Sequence, residues 1–299
     1  MKNLYAYSVF LLNMVSSLTL QAQDLEPRSF TNLPVGETFV VSGIVYSDGN
    51  LAPAPSAPLE DAEITLEGLV IGAAHSFALA GNSAKVDAGV ARICMEGSAT
   101  FLGEFTQARR CGYTDPLVRL SWNFYGAPAL ALADFASWNQ KLVLGTSLQV
   151  GIPVGTYLDD KLVNTGANRW LVKPAVGLSY KTGTWDLDSM LSISFFEDND
   201  NFFNGIYVEQ DPLYALQTHL TRSLRNGRWI SINANFFAGG ETSKDGIDSD
   251  DQQENSRFGI TYSIPINSHN SLKFYLSTGV ITRIGNDFTT FGMNWQYRL

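Results

Sequence analysis

The chain has 299 residues, 45% of them hydrophobic and 12% aromatic but only 16% charged, and a formal net charge of −9. Soluble domains carry about 25% charged residues, so much of this surface is not built to face water. The acidic balance excludes nucleic acid as a partner, since phosphates require a basic footprint.

The N-terminus reads as an export signal. Lys2 supplies the positive charge, an apolar run extends from Leu4 to Leu20, and Ser16, Ser17 and Ala22 offer small residues for a cut after Ala22. Residues 1–22 are therefore expected to be a cleaved signal peptide. Residues 23–36 are polar and contain Pro27 and Pro34. This segment either folds into a lumen as a plug, through Glu26 and Arg28, or remains a periplasmic tail. Beyond the signal, no stretch approaches the ~20 apolar residues that a spanning helix needs.

From residue 37 onward the pattern is strand after strand. Apolar and polar residues alternate with a period of two, which places them on opposite faces. Leu142, Leu144, Leu148 and Val150 oppose Gly145, Ser147 and Gln149, and Ile230, Ile232 and Phe236 oppose Ser231, Asn233 and Asn235. Twelve strands are predicted, near 37–48, 62–80, 84–95, 113–126, 140–155, 168–181, 184–197, 211–225, 228–239, 253–266, 270–281 and 287–299. Most reach the ~10 residues of a tilted transmembrane strand, against ~5–6 in soluble proteins. Val118, Leu120, Trp122 and Phe124 oppose Arg119, Ser121, Asn123 and Tyr125, which assigns Tyr125 to the polar face.

Connections alternate in length as well. Thr182-Gly183, Asn226-Gly227 and 267–270 are tight; 49–61, 96–112, 156–167, 198–210 and 240–252 are long and polar. Outer-membrane barrels have short periplasmic turns and long external loops. The exception is 127–139, long but on the short-turn side, where a short helix is expected. The fold expected over 37–299 is all-β: a transmembrane, antiparallel, up-and-down β-barrel of twelve strands in the bacterial outer membrane, with its C-terminus in the periplasm.

Cys94 and Cys111 flank the 96–112 loop. In an oxidising compartment they can pair, stabilising the chain by roughly 3 kcal/mol in the chain-entropy model. The polar strand faces should line the lumen, which nominates Arg119, Asn123, Gln149, Asp186, Asp188, His219, Asn233, Arg257, Lys273 and Arg298. These residues either select a permeant, as charged rings in channels do, or pair with one another and fill the bore.

Catalysis is not expected. His219 shares a face with Thr221 and Ser223, but that spacing comes with any polar strand face, and no oriented Ser–His pair is apparent. The acidic loop 245–251 lacks the bidentate Glu of a calcium loop, so neither metal nor cofactor is expected.

Several stretches resemble the "MetA-pathway of phenol degradation" family of outer-membrane transport proteins of Gram-negative bacteria. They include Leu25-Glu26-Pro27-Arg28, Asn32-Leu33-Pro34-Val35-Gly36, Asn123-Phe124-Tyr125-Gly126-Ala127-Pro128, Asn168-Arg169-Trp170, Glu209-Gln210-Asp211-Pro212 and Trp295-Gln296-Tyr297-Arg298. The resemblance implies a channel that passes small, aromatic or hydrophobic molecules through its lumen. The alternative is a structural or surface-interaction barrel acting through external loops, with little transport. Either would meet outer-membrane lipid and lipopolysaccharide, and would present its C-terminal strand to the barrel-assembly machinery. Such strands commonly end on Phe or Trp; this one ends on Leu299.

Overall fold

Because side chains on a strand alternate faces, a sheet closed on itself can be apolar outside and polar inside, the reverse of a soluble protein. The computed structural model, which describes residues 25–52, 59–101, 103–135 and 137–299, has this arrangement. The expected signal peptide lies outside the described residues.

Seventeen strands are described. They are β1 (Thr38–Ala52), β2 (Leu59–Leu79), β3 (Asn82–Phe101), β4 (Glu104–Tyr113), β5 (Leu117–Tyr125), β6 (Leu142–Gly151), β7 (Leu171–Thr182), β8 (Trp185–Phe196), β9 (Asn199–Phe202), β10 (Ile206–Gln210), β11 (Leu213–Ser223), β12 (Trp229–Gly239), β13 (Thr242–Lys244), β14 (Ile247–Asp248), β15 (Gln253–Pro265), β16 (Asn270–Ile281) and β17 (Gly285–Arg298). Twelve of them, β1, β2, β3, β5, β6, β7, β8, β11, β12, β15, β16 and β17, pair antiparallel with their neighbours in a ring. The ring closes where β1 meets β17, from Phe39 opposite Arg298 to Ala52 opposite Gly285. Closure leaves no free edge within the membrane, where an unpaired backbone group costs several kcal/mol.

Each ring strand contributes to an apolar outer band. Across successive pairs, Val176 faces Leu191, Leu191 faces Leu216, Ile232 faces Ile260, Ile260 faces Leu276, and Leu276 faces Phe291. All are exposed; Ile232 keeps 61% of its surface open. Aromatic side chains, among them Tyr180, Trp185 and Trp295, mark the end of the ring where the tight turns lie, as in the interfacial girdles of membrane barrels. No described helix is long and apolar enough to cross a membrane; the crossing is made by strands.

The tight turns follow from local chemistry. Ala80-Gly81 and Asn226-Gly227 each place two consecutive residues at positive φ, the conformation that a two-residue hairpin turn demands. The long 127–139 connection contains one helical turn, Leu132–Phe135.

Two features at the opposite end differ from the sequence expectation. The 96–112 segment is not an irregular loop. β3 runs on to Phe101 and β4 doubles back along it, forming a hairpin arm that stands beyond the ring. Cys94 and Cys111 are directly opposite in this hairpin and form a disulfide. Below the arm, Ile64, Leu66, Ile93, Met95 and Phe288 pack into a buried apolar cluster. The long connections 198–210 and 240–252 are also partly ordered as strands: β9, β10, β13 and β14 form a separate four-stranded sheet. Finally, Tyr125 is 57% exposed instead of lumenal. A register shift between Trp122 and Tyr125 rotates the end of β5 by one residue and turns that side chain outward.

Candidate permeation path

The interior is polar almost throughout, and all ten nominated lumen residues lie on the inward face. Asp186, Asp188, His219, Asn233 and Arg257 are each at most 3% exposed, and Gln149 and Asn123 are also buried. Thr221 donates to Ser231 Oγ at 3.0 Å, Ser231 to Asn233 Oδ1 at 2.8 Å, and Asn233 Nδ2 to Thr261 Oγ1 at 3.0 Å. This chain ties β11, β12 and β15 together. His219 joins it, with Nδ1 2.9 Å from Asn233 Oδ1. Buried polar groups that are mutually satisfied in this way rigidify a wall.

Charged residues divide the wall into sectors. Arg257 donates through Nε to Ser277 Oγ at 3.2 Å and through Nη2 to the Phe288 carbonyl at 2.7 Å. Asp186 lies 3.8 Å from Lys181 Nζ. Asp188 faces His219 on one side and Ser179 on the other. Lys273 sits between Ser263 and Asn294, and Arg298 Nε is 3.6 Å from Glu37 at the turn end. Asn123 Nδ2 donates to Ser83 Oγ at 3.3 Å, and Gln149 lies opposite both Arg119 and Lys173.

Residues 25–36 run through the inside of the ring and touch many of its strands. Glu26 forms an ion pair with Arg119, which is held in turn by Asp87: Nη2 donates at 3.0 Å and Nε at 3.2 Å. Lys85 completes the group, 3.4 Å from Asp87. Burial pushes the Glu26 carboxyl up, but the Arg119, Lys173 and Lys85 charges outweigh it and hold it at about 2. The Glu26 N–H donates to Gln217 Oε1 at 3.3 Å. Arg28 stacks its guanidinium over the Trp229 ring, 5.6 Å from the centroid.

Phe30 is the apolar anchor. It is 2% exposed and packs with Ala175 and Met190. Its ring lies over Gly145 and Gly177, where any Cβ would collide with it. Nearer the turn end, the Asn32 N–H donates to Gln140 Oε1 at 3.0 Å, Val35 N–H to the Leu130 carbonyl at 2.9 Å, and Ser76 Oγ to the Pro34 carbonyl at 2.6 Å. Beside the segment a narrow crevice remains, lined by Thr31, Leu33, Lys85, Ser121 and Asn123.

Sequence reasoning nominated Glu26, Arg28 and Arg119 but not Phe30, Asp87 or Gln140. Asp87 and Lys85 stand on the polar face of a predicted strand and were accessible to the same argument as Arg119. Phe30 carries no periodic signal, and its seat is visible only as two lumen-facing glycines.

Comparison with solved structures supports the architecture. The COG4313 outer membrane channel from Pseudomonas putida F1 superposes with a TM-score of 0.78 at 20% identity, covering 92% of this chain and all of that one (100%). The transport unit of the autotransporter AIDA-I from Escherichia coli gives 0.56 at 13% identity, covering 98% of this chain and 97% of that one. The translocator domain of the autotransporter NalP from Neisseria meningitidis gives 0.53 at 9% identity, covering 88% of each chain. At these identities the likeness is one of fold. No curated protein matches the chain. Residues 61–294, most of the barrel, match one family model, and the chain belongs to the family described as "Putative MetA-pathway of phenol degradation".

Proposed function

We propose that the protein is an outer-membrane channel that passes small molecules, aromatic or hydrophobic ones included, through its lumen. On this reading residues 25–36 act as a plug. The observation that carries it is the pairing of a polar bore with a segment anchored inside it by Glu26, Arg28 and Phe30. A barrel needed only as a scaffold would be filled by its own wall residues. The tight turns and the C-terminus share one end of the ring, and the long loops with their disulfide share the other. That supports a periplasmic C-terminus and an external arm.

Planar-bilayer recording on purified protein tests the reading. The intact chain should show small or rare conductance steps, and a chain lacking residues 25–36 should show large, persistent ones. Silent bilayers for both would reject the channel. A surface-interaction role is favoured by one feature, the projecting β3–β4 arm with Phe105 74% exposed near its tip. It predicts that deleting 96–112 abolishes a surface phenotype and leaves conductance unchanged.

A further inference from the structure

The β3–β4 arm leaves one strand edge open. β4 is the last strand of its sheet, and among the described residues it pairs with β3 alone. Residues 104–109 are exposed on both faces, and Phe105 keeps 74% of its surface open. An edge of this kind is a ready template for another strand, and proteins usually cover it or shorten it.

Local bonding fixes which backbone groups face outward. The Thr114 N–H donates to the Ala91 carbonyl at 2.8 Å, toward β3. Tyr113 points the other way: its N–H donates to Thr156 Oγ1 at 3.0 Å, and its carbonyl accepts the Thr156 N–H at 2.9 Å. Bonding direction alternates along a strand, so Phe105, Gln107 and Arg109 also aim N–H and C=O away from β3. The Arg109 carbonyl accepts from Arg110 Nη1 at 3.0 Å. Among the described residues, the other outward groups of these three have no partner.

The side chains fit this edge to its own copy. In an antiparallel pair centred on Gln107, Phe105 lies opposite the second copy's Arg109, and Glu104 opposite its Arg110. Two-fold symmetry makes each contact twice. The first sets a cation beside an exposed aromatic ring, and the second is an opposite-charge cross-strand pair. Positions 105, 107 and 109 would exchange about six backbone hydrogen bonds. Of the registers that the outward groups allow, this one alone sets Glu104 against an arginine. Arg110 must leave the Arg109 carbonyl to reach it; Asp160, whose charge also acts on Arg110, is held by Lys161 Nζ at 2.5 Å.

We propose that the β4 edge docks a second copy of this chain, strand to strand and antiparallel, with the two barrels in facing membranes. Copies in one membrane are related by rotation about its normal, which leaves both arms climbing the same way. Antiparallel arms therefore come from opposed surfaces. A single pair is a small contact, but many copies on two surfaces add up through effective concentration. The pairing rests on the edge alone; its placement between cells rests on the external arm of the reading above.

Oxidative cross-linking of the full barrel in detergent tests the pairing. Both native cysteines are held in the disulfide, so Gln107→Cys places a new thiol on the symmetry axis. It should give covalent dimer at about tenfold or more the yield of Glu209→Cys, an exposed position on β10. Adding Glu104→Arg should cut that yield about tenfold, because two attractions become repulsions, and Arg110→Glu on top should restore it. Heat-modifiable electrophoretic mobility would show that each variant is folded. A yield no higher than at Glu209, or one indifferent to the charge swap, would overturn the proposal. Cells expressing the parent chain should clump, and cells expressing Glu104→Arg should stay dispersed. Dimers in detergent beside dispersed parent cells would overturn the facing membranes. An impermeant maleimide on intact Gln107→Cys cells reads the arm's side separately; exclusion of the label would reject the external arm and the cell contact, and leave the strand pairing standing.

Discussion

Phe30→Ala isolates the apolar part of the anchorage of residues 25–36, the proposed plug. The ring is 2% exposed, seated on Gly145 and Gly177 and packed with Ala175 and Met190. Truncating a well-buried Phe costs about 3–5 kcal/mol in a protein core. Here the vacated seat opens into a polar bore that water can enter, so the lower end, about 3 kcal/mol, is appropriate. At ~1.4 kcal/mol per tenfold change, the undocked population of the segment should rise by about 100-fold. The barrel itself is untouched, since no ring strand loses a hydrogen bond. Single-channel recording under constant voltage reads the effect as open probability. The variant should open about 100 times as often as the parent, with each opening the same size as in a chain lacking residues 25–36. An unchanged open probability, alongside persistent opening of the deletion variant, would show that Phe30 does not hold the segment.

Three further outcomes follow from the same geometry. The Glu26 carboxyl is held at about 2 against an ordinary 4.5. Its contribution to docking is therefore complete above pH 4.5 and is lost as pH falls toward 2. Conductance should rise over that interval on the side facing the turns, and Glu26→Gln should remove the pH dependence; a flat profile in the parent would count against the ion pair as a latch. Replacing Cys94 and Cys111 with Ser frees the arm by up to roughly 3 kcal/mol. Trypsin added to whole cells should then cut at Arg109 or Arg110 up to about 100-fold faster, and an equal cutting rate would assign the arm's order to its backbone pairing alone. Ile232→Arg puts a charge on the outer band, where such changes cost about 2–4 kcal/mol at mid-membrane. Urea unfolding in liposomes should show that loss, and no loss would place Ile232 outside the hydrocarbon.

The ring strands were legible because each divides two solvents, lipid and lumen, and that division writes itself as alternation. The β3–β4 arm projects clear of both. Residues 104–109 of β4 are exposed on either face, so no alternation is imposed on 96–112 and the sequence reads as loop. The short strands β13 and β14, three and two residues long, are below the length at which any period can be seen. Tyr125 shows a further limit, because alternation cannot announce a register shift. The lumenal side of Arg119 was readable, but its partners Glu26 and Asp87 lie 93 and 32 residues away. The pairing of Cys94 with Cys111 was suggested by compartment, and its place at opposed positions in a hairpin emerged only from the fold.

The segment inside the ring also constrains the order of events during biogenesis. Its backbone bond to Gln217 spans 191 residues, and its other contacts wait on β5, β6, β7 and β12. None of these contacts can form until those strands are in place. Contacts of such long sequence separation are the slow ones in folding, so docking of residues 25–36 belongs to the final stage. If residues 25–36 plug the bore as proposed, every newly inserted copy passes through an interval as an unobstructed pipe, and the speed with which Glu26 and Phe30 find their seats sets how long each molecule leaks.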